Sequence, residues 1–292
     1  MRQRQSNRRK QSGFTIGVDL GGTNVRAGLV NRDRLLKLGS RAVRSSGSRD
    51  EVLSDLCATI ESVFDDRVQG IGIGVPSLVD PKDGVIFDTT NIPSWKKVAL
   101  RAYLEKKFKV PVRIDNDANC FALGERHFGA GKSCENFVGL IVGTGLGAGI
   151  LSGGKLHSGT DCGAGEFGSI PYLDGTIEHY ASGQFFRKFG TTGEQLSDEA
   201  SRGDEKALEI FEQFGAHLGF ATKVILYSLA PKTIILGGSV SKSFKYYKNS
   251  LKKSLTDFSY PTVVKSLKFR TSTLRHGAVL GAASLIRDQS NA

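Results

Sequence analysis

The sequence predicts an α/β protein built from two related halves. Three observations carry that expectation. Apolar runs of strand length alternate with longer stretches of helical spacing, the order that parallel crossover units require. A glycine turn between strand-length runs occurs twice, at Asp19–Asn24 and at Gly143–Gly149, and an offset of 121 residues lays Gly22-Thr23 on Gly143-Thr144 and Ala27-Gly28 on Ala148-Gly149. The 292 residues are also enough for two domains.

Taken in order, Phe14–Val18 and Val25–Val30 predict a hairpin around the first turn, and Leu35–Val43 a third strand. Val52, Leu56, Ile60 and Val63 recur at helical spacing, which predicts a helix over 51–64. Gly70–Val75 reads as a short strand stopped by Pro76, 98–108 as an amphipathic helix, 110–114 as a strand and 117–127 as a helix entered through Asp115-Asn116-Asp117. The second half begins with 137–142 and Ile150-Leu151 around the second turn, then a glycine-rich loop over 152–168. A long helix over 207–229, a buried strand over 233–236 and the turn Gly237-Gly238 into another helix follow. Residues 277–287 predict a closing helix whose small side chains allow close packing. No low-complexity linker separates the halves. The expected boundary gives 14–115 to one domain and 116–276 to the other, with ligands in the cleft between them.

Composition is that of a soluble globular chain, 39% hydrophobic and 24% charged. No apolar run approaches the roughly 20 residues of a bilayer span, and the N-terminus has no apolar core of a secretory signal. A cytoplasmic protein with no membrane partner is expected. Of the net charge of +11, Arg2, Arg4, Arg8, Arg9 and Lys10 lie in the first ten residues. With no aromatic interleaving, residues 1–13 read as a basic, solvated, disordered tail rather than a nucleic-acid arm, and no specific nucleic-acid partner is expected. Cys57, Cys120, Cys134 and Cys162 form no Cys-x-x-Cys pair, so the pattern encodes neither a zinc knuckle nor a disulfide framework.

The chemistry-bearing residues cluster at the turns. A polyphosphate needs backbone N–H groups with no Cβ in the way, which Gly21 and Gly22 provide, with the Thr23 hydroxyl and Asn24 beside them. Asp19 at a strand end suits Mg²⁺ held through its waters, and Arg26 suits a phosphate contact. Gly143, Thr144 and Gly145 offer a second set of amides; Gly237 and Gly238 offer a third surface, under an adenine and ribose. Asp117 is the candidate general base for an accepting hydroxyl; it reads equally as a helix N-cap. Asn116 beside it suits a sugar hydroxyl, and Asn119 is a capping or turn residue. Glu166 and Glu178 suit a polyol, because each carboxylate accepts from two vicinal hydroxyls. Each alone also reads as a surface charge.

Together these residues resemble the ROK family of sugar kinases, within the actin/hexokinase ATPase superfamily. The anchors are Ile16-Gly-Val-Asp-Leu-Gly-Gly-Thr-Asn24, Asp115-Asn-Asp-Ala-Asn119, Gly143-Thr-Gly-Leu-Gly147, Gly165-Glu-Phe-Gly168, Ile177-Glu-His-Tyr-Ala-Ser-Gly183 and Ile235-Leu-Gly-Gly238. The resemblance implies two actin-like (ribonuclease H-like) domains with a central cleft, and a closing helix over about 277–290 packed back on the first. It implies an ATP- and Mg²⁺-dependent kinase acting on a hexose 6-hydroxyl, as a homodimer. Asp117 would be the base, and Asn91, Asn116, Glu166 and Glu178 would hold the sugar. The segment Asn91-Ile-Pro-Ser-Trp95 looks like the glucokinase version of its loop and favours glucose; Trp95 also reads as a loop residue packed on the core. N-acetylglucosamine, N-acetylmannosamine, fructose and allose are the alternative acceptors, and polyphosphate is an alternative donor.

One departure concerns Ser169, which stands where the family usually carries His, with no Cys-rich loop after it. No structural zinc site is therefore expected, and sugar preference is left open. His179 reads as a structural or surface residue. Two rival functions resemble this pattern. Sugar-responsive repressors of the family carry a helix-turn-helix before the first glycine turn, whereas thirteen residues precede Phe14 here. A non-kinase actin-like ATPase would not need the polyol-binding residues.

Overall fold

The computed structural model describes residues 13–288 apart from Asp33, Asp88 and Thr90; the basic tail over residues 1–12 lies outside the described residues. The chain runs β1 (Phe14–Leu20), β2 (Asn24–Asn31), β3 (Arg34–Ala42), α1 (Arg49–Val63), β4 (Ile71–Val75), β5 (Leu78–Asp80), β6 (Val85–Phe87), β7 (Lys97–Ala99), α2 (Leu100–Phe108), β8 (Val112–Asn116) and α3 (Asp117–His127). It continues with β9 (Phe137–Val142), β10 (Leu146–Ser152), β11 (Lys155–Leu156), β12 (Pro171–Tyr172), β13 (Gly175–Thr176), α4 (Ile177–Ala181), α5 (Gln184–Arg187), α6 (Gly193–Ser201), α7 (Glu205–Leu229), β14 (Thr233–Gly237), α8 (Phe244–Ser254), α9 (Pro261–Ser266), β15 (Lys268–Thr271) and α10 (Gly277–Asp288).

These elements form two compact units. The first holds the described residues up to Ser133, then Leu156–Ala164, then those from Leu274 onward; the second holds Cys134–Lys155 and Gly165–Thr273. The expected boundary at 115/116 is therefore corrected: α3 stays with the first unit, because it packs against α10 there. The loop over 156–164 also returns to the first unit. Val79 donates its N–H to the Asp161 carbonyl at 3.2 Å, and Ser158 Oγ donates to Asp115 at 3.2 Å.

Each unit contains a five-stranded sheet of the same order, β3-β2-β1-β4-β8 in the first and β11-β10-β9-β14-β15 in the second. The duplicated glycine turns sit at equivalent places, between β1 and β2 and between β9 and β10. In the first sheet β1 runs antiparallel to β2 and parallel to β4, which is parallel to β8. The second sheet repeats this with β9, β10, β14 and β15. Strands covered on both faces read as continuous apolar runs, and Ile16, Val18, Ile71, Ile73, Ile234, Ile235 and Leu236 are all fully buried.

Local capping signals set the start of two helices. Ser48 and Glu51 form a reciprocal capping box that starts α1 at Arg49, two residues before the expected start at 51. Asp204 accepts from Ala207 N–H at 2.8 Å and starts α7 at Glu205. The expected helix over 98–108 begins later, at Leu100, because Lys97–Ala99 pairs with β6 as a strand. The small sheet β5-β6-β7 escaped the sequence reading, as did β12, β13, α6, α9 and β15. Most are too short to show a period. Among the described residues no helix is long and apolar enough to cross a membrane.

The closing helix α10 packs on β1, β4 and α3. It lies so close that a Cβ on Gly72 would fall 1.7 Å from the Ala282 carbonyl oxygen, and one on Gly281 1.6 Å from that of Cys120. Glycine is needed at both places by contact, not by backbone conformation.

Candidate active site

In the first unit the candidate residues gather at the carboxyl ends of parallel strands, where open α/β sheets bind ligands. Asp19 of β1 pairs in register with Gly74 of β4, and Gly74 with Asp115 of β8. Gly74 keeps this row open: a Cβ there would lie 3.4 Å from Asp117 Cα and 3.1 Å from Cys120 Sγ. Burial pushes the Asp19 carboxyl above its usual range, opposed by the neighbouring positive charges of Arg26 and His276. The Arg26 guanidinium stands 3.6 Å from the Asp19 carboxylate.

The first glycine turn closes with Gly21 N–H donating to the Asn24 carbonyl at 2.9 Å, and Val43 N–H donates to the Thr23 carbonyl at 2.9 Å. Gly22 faces Asn91, whose Cβ lies 2.6 Å from where a glycine-22 side chain would begin. The structure thus brings Asn91 to the turn. Trp95 is fully buried in the core cluster, the plainer of its two readings.

Asp117 opens α3, and the N-cap is its neighbour Asn116. Ala118 N–H donates to both Asn116 Oδ1 and Asp117 Oδ1 at 2.8 Å. Behind them the buried Asp115 accepts at Oδ1 from Asn116 N–H and Asn119 Nδ2, each at 2.7 Å. Asn119 is therefore a buried partner of Asp115 rather than a cap. Burial pushes the Asp115 carboxyl up against the pull of these donors. Sequence reasoning gave Asp115 no role, although its place in the Asp-Asn-Asp cluster was visible.

In the second unit the glycine turn and the two glutamates come together. Glu178, the second residue of α4, accepts from Leu146 N–H at 2.8 Å and from Gln184 Nε2 at 2.7 Å. A Cβ on Gly145 would fall 2.5 Å from Glu178 Oε2. Burial first, and the Glu178 charge second, raise the Glu166 carboxyl above its usual range. The expectation of a turn presenting all its amides changes here: Leu146 N–H serves Glu178, and Gly143 N–H closes the turn on the Gly145 carbonyl at 3.0 Å. Gly237 ends β14, paired with Ile141 of β9. Gly238, with φ +82°, lies against the Val142 backbone just before the turn.

The segment after Ser169 is held by aromatic side chains. Tyr172 stacks on Phe220 with ring centroids 4.2 Å apart, and its hydroxyl lies 3.1 Å from His217 Nδ1. Burial lowers the His217 pKa, which favours the neutral ring. His179 is structural, its Nδ1 accepting from Thr176 N–H at 3.1 Å. Among the described residues no group of three or more His, Cys, Asp or Glu side chains could hold a metal ion. A groove along α7 and α8, lined by Glu209, Glu212, Lys223, Lys253 and Asp257, contains none of the sequence-predicted residues.

Comparison with known proteins gives the family and the fold. The chain is 31% identical over 308 residues to a glucokinase of Thermotoga maritima, covering 94% of this chain and 97% of that protein. It is 31% identical to an N-acetyl-D-glucosamine kinase of Aliivibrio fischeri, covering 92% and 98%. A xylose repressor of Bacillus spizizenii is 28% identical, covering 95% of this chain and 78% of that protein. The structure of a ROK family glucokinase from Streptomyces griseus, in complex with glucose and AMPPNP, superposes with a TM-score of 0.80 at 28% identity, covering 94% of this chain and 100% of that one. The fold is thus the α/β fold of ROK kinases, with actin-like ATPase domains. Residues 15–289 match the ROK family, and the chain belongs to it.

Proposed function

We propose that this protein is an ATP-dependent sugar kinase that phosphorylates the 6-hydroxyl of a hexose, with glucose as the preferred acceptor. The observation that carries the reading is the row at the strand ends. It sets Asp19 of β1 and Asp115 of β8 on either side of Gly74 of β4, and Asn116 and Asp117 follow Asp115 directly at the strand end. Asp117 takes the proton from the attacking hydroxyl. Asn91, Asn116, Glu166 and Glu178 hold the other hydroxyls and orient the sugar. Gly21, Gly22, Thr23 and Asn24, with Gly143, Thr144 and Gly145, cradle the phosphates, and Gly237 and Gly238 lie under the nucleoside. Such catalysis is positioning plus charge neutralisation.

Asp19 fits a Mg²⁺ that keeps most of its waters, since it offers a hard carboxylate oxygen at a strand end. When bound, that ion would neutralise charge on the transferring phosphoryl group. The Thermotoga relative supports glucose as acceptor and the Aliivibrio relative supports an N-acetylated sugar, so both belong in the test.

The test is ADP release with glucose, mannose, fructose, allose, N-acetylglucosamine and N-acetylmannosamine, with EDTA as the metal control. Glucose is expected to give the highest kcat/KM. Asp117→Ala is expected to lower kcat by about 10²–10⁴-fold, the usual contribution of a general base, while glucose binding stays within a few-fold. A variant with normal turnover would remove Asp117 from the mechanism. ATP hydrolysis that no sugar diverts to sugar phosphate would overturn the kinase assignment.

A further inference from the structure

The segment from Glu178 to Gln184 grips the second glycine turn at four points. Leu146 N–H donates to Glu178 Oε2 at 2.8 Å. Ser182 Oγ donates to the Thr144 carbonyl at 3.2 Å, and Gly183 N–H to the Gly143 carbonyl at 2.7 Å. The fourth point is the Glu178 carboxylate itself, which fills the space a Gly145 side chain would take. What holds that carboxylate in place is Gln184, whose Nε2 donates to Glu178 Oε1 at 2.7 Å. Gln184 is half-buried, and Ser182 Oγ accepts its backbone N–H at 3.1 Å, so the side chain starts from a fixed root.

We infer that Gln184 is a positioning residue that makes Glu178 a shared strut between the acceptor sugar and the phosphate-binding turn. This rests on the kinase reading of Glu178 and of Gly143–Gly145. Each carboxylate oxygen carries two lone-pair sites. Gln184 takes one on Oε1 and Leu146 N–H takes one on Oε2, which leaves one on each for a pair of vicinal hydroxyls. A sugar bridging both oxygens locks the carboxylate against rotation and so locks the turn that Oε2 supports. Sugar binding then tightens nucleotide binding, and the reciprocal effect must be equal. Without the Gln184 donor the carboxylate can turn away from Leu146, and the two sites lose their common part.

The experiment measures the dissociation constants of glucose and AMPPNP, each alone and in the presence of the other, for the wild type, Gln184→Met and Gln184→Ala. Methionine keeps the length of the side chain and removes only the donor. For the wild type, glucose is expected to tighten AMPPNP several-fold. In both variants that factor is expected to fall to about one and glucose affinity to drop about tenfold, as for loss of one hydrogen bond to a charged group. AMPPNP affinity without sugar should stay within twofold, and kcat should fall less than kcat/KM for glucose. A purely structural role would weaken both ligands alike and lower the melting temperature, and that result overturns the inference. Variants that keep the wild-type coupling overturn it too. A wild type that binds glucose but transfers no phosphoryl group to any hexose overturns the kinase reading, and the coupling measurement still decides the role of Gln184.

Discussion

Glu166 and Glu178 are two carboxylates close enough for the charge of one to bear on the other. A carboxylate accepts from hydroxyls at both oxygens while ionised and loses part of that capacity when protonated, and burial with the nearby Glu178 charge makes ionising Glu166 harder. The sign follows directly. Hexose affinity should fall as pH drops through the raised Glu166 value, so its acid limb should lie above 4.5, the ordinary value for glutamate. Glu178→Gln removes one of the two causes and leaves burial, so the limb should move down without reaching that value. Titration of glucose binding against pH in both proteins checks this, and a midpoint that Glu178→Gln leaves in place would count against it. Asp19 differs, since the opposing charges of Arg26 and His276 partly offset its burial.

Close approach of backbones is the main device of the closing element. Helix α10 meets the sheet through Gly72 and meets α3 through Gly281, with no side chain between. Gly281→Ala must push either α3 or α10 away, because the new atom would sit 1.6 Å from a carbonyl oxygen. The expected cost is about 3 kcal/mol or more, the upper end for overpacking, read as a fall in thermal midpoint. Gly143→Ala is the contrasting case: a Cβ there meets nothing within 4 Å. Stability should stay within about 0.5 kcal/mol, as for a surface change, while AMPPNP affinity falls if that turn approaches phosphates. An equal loss of stability in both variants would contradict the distinction between a packing glycine and a ligand-facing one.

The chain folds into units that are not contiguous in sequence. The first unit needs residues from Leu274 onward, because α10 covers β1, β4 and α3. A fragment of residues 13–133 should therefore show no cooperative thermal transition, whereas 13–133 joined to 274–288 by a short linker should recover one. A cooperative transition in the shorter fragment would show that α10 is dispensable. Both units repeat one strand order around one kind of glycine turn.

Much of this is legible in the sequence, for a definite reason. Glycine turns, strand-length apolar runs and the Asp-Asn-Asp cluster are local patterns, and local sterics and solvation impose them on neighbouring residues. The α/β class, the repeat and the candidate residues Asp19, Asn116, Asp117, Glu166 and Glu178 follow from such patterns. The unit boundary did not, because α3 is assigned by its packing on a helix about 150 residues later in the chain. The partnership of Glu178 with Leu146 and Gln184, the burial of Asp115 and the contact of Asn91 with Gly22 were equally hidden. Each depends on which distant backbones come within a few ångströms, and composition and spacing carry no distances. The sequence determined what kinds of turn and side chain would be present; packing between remote segments decided which of them meet.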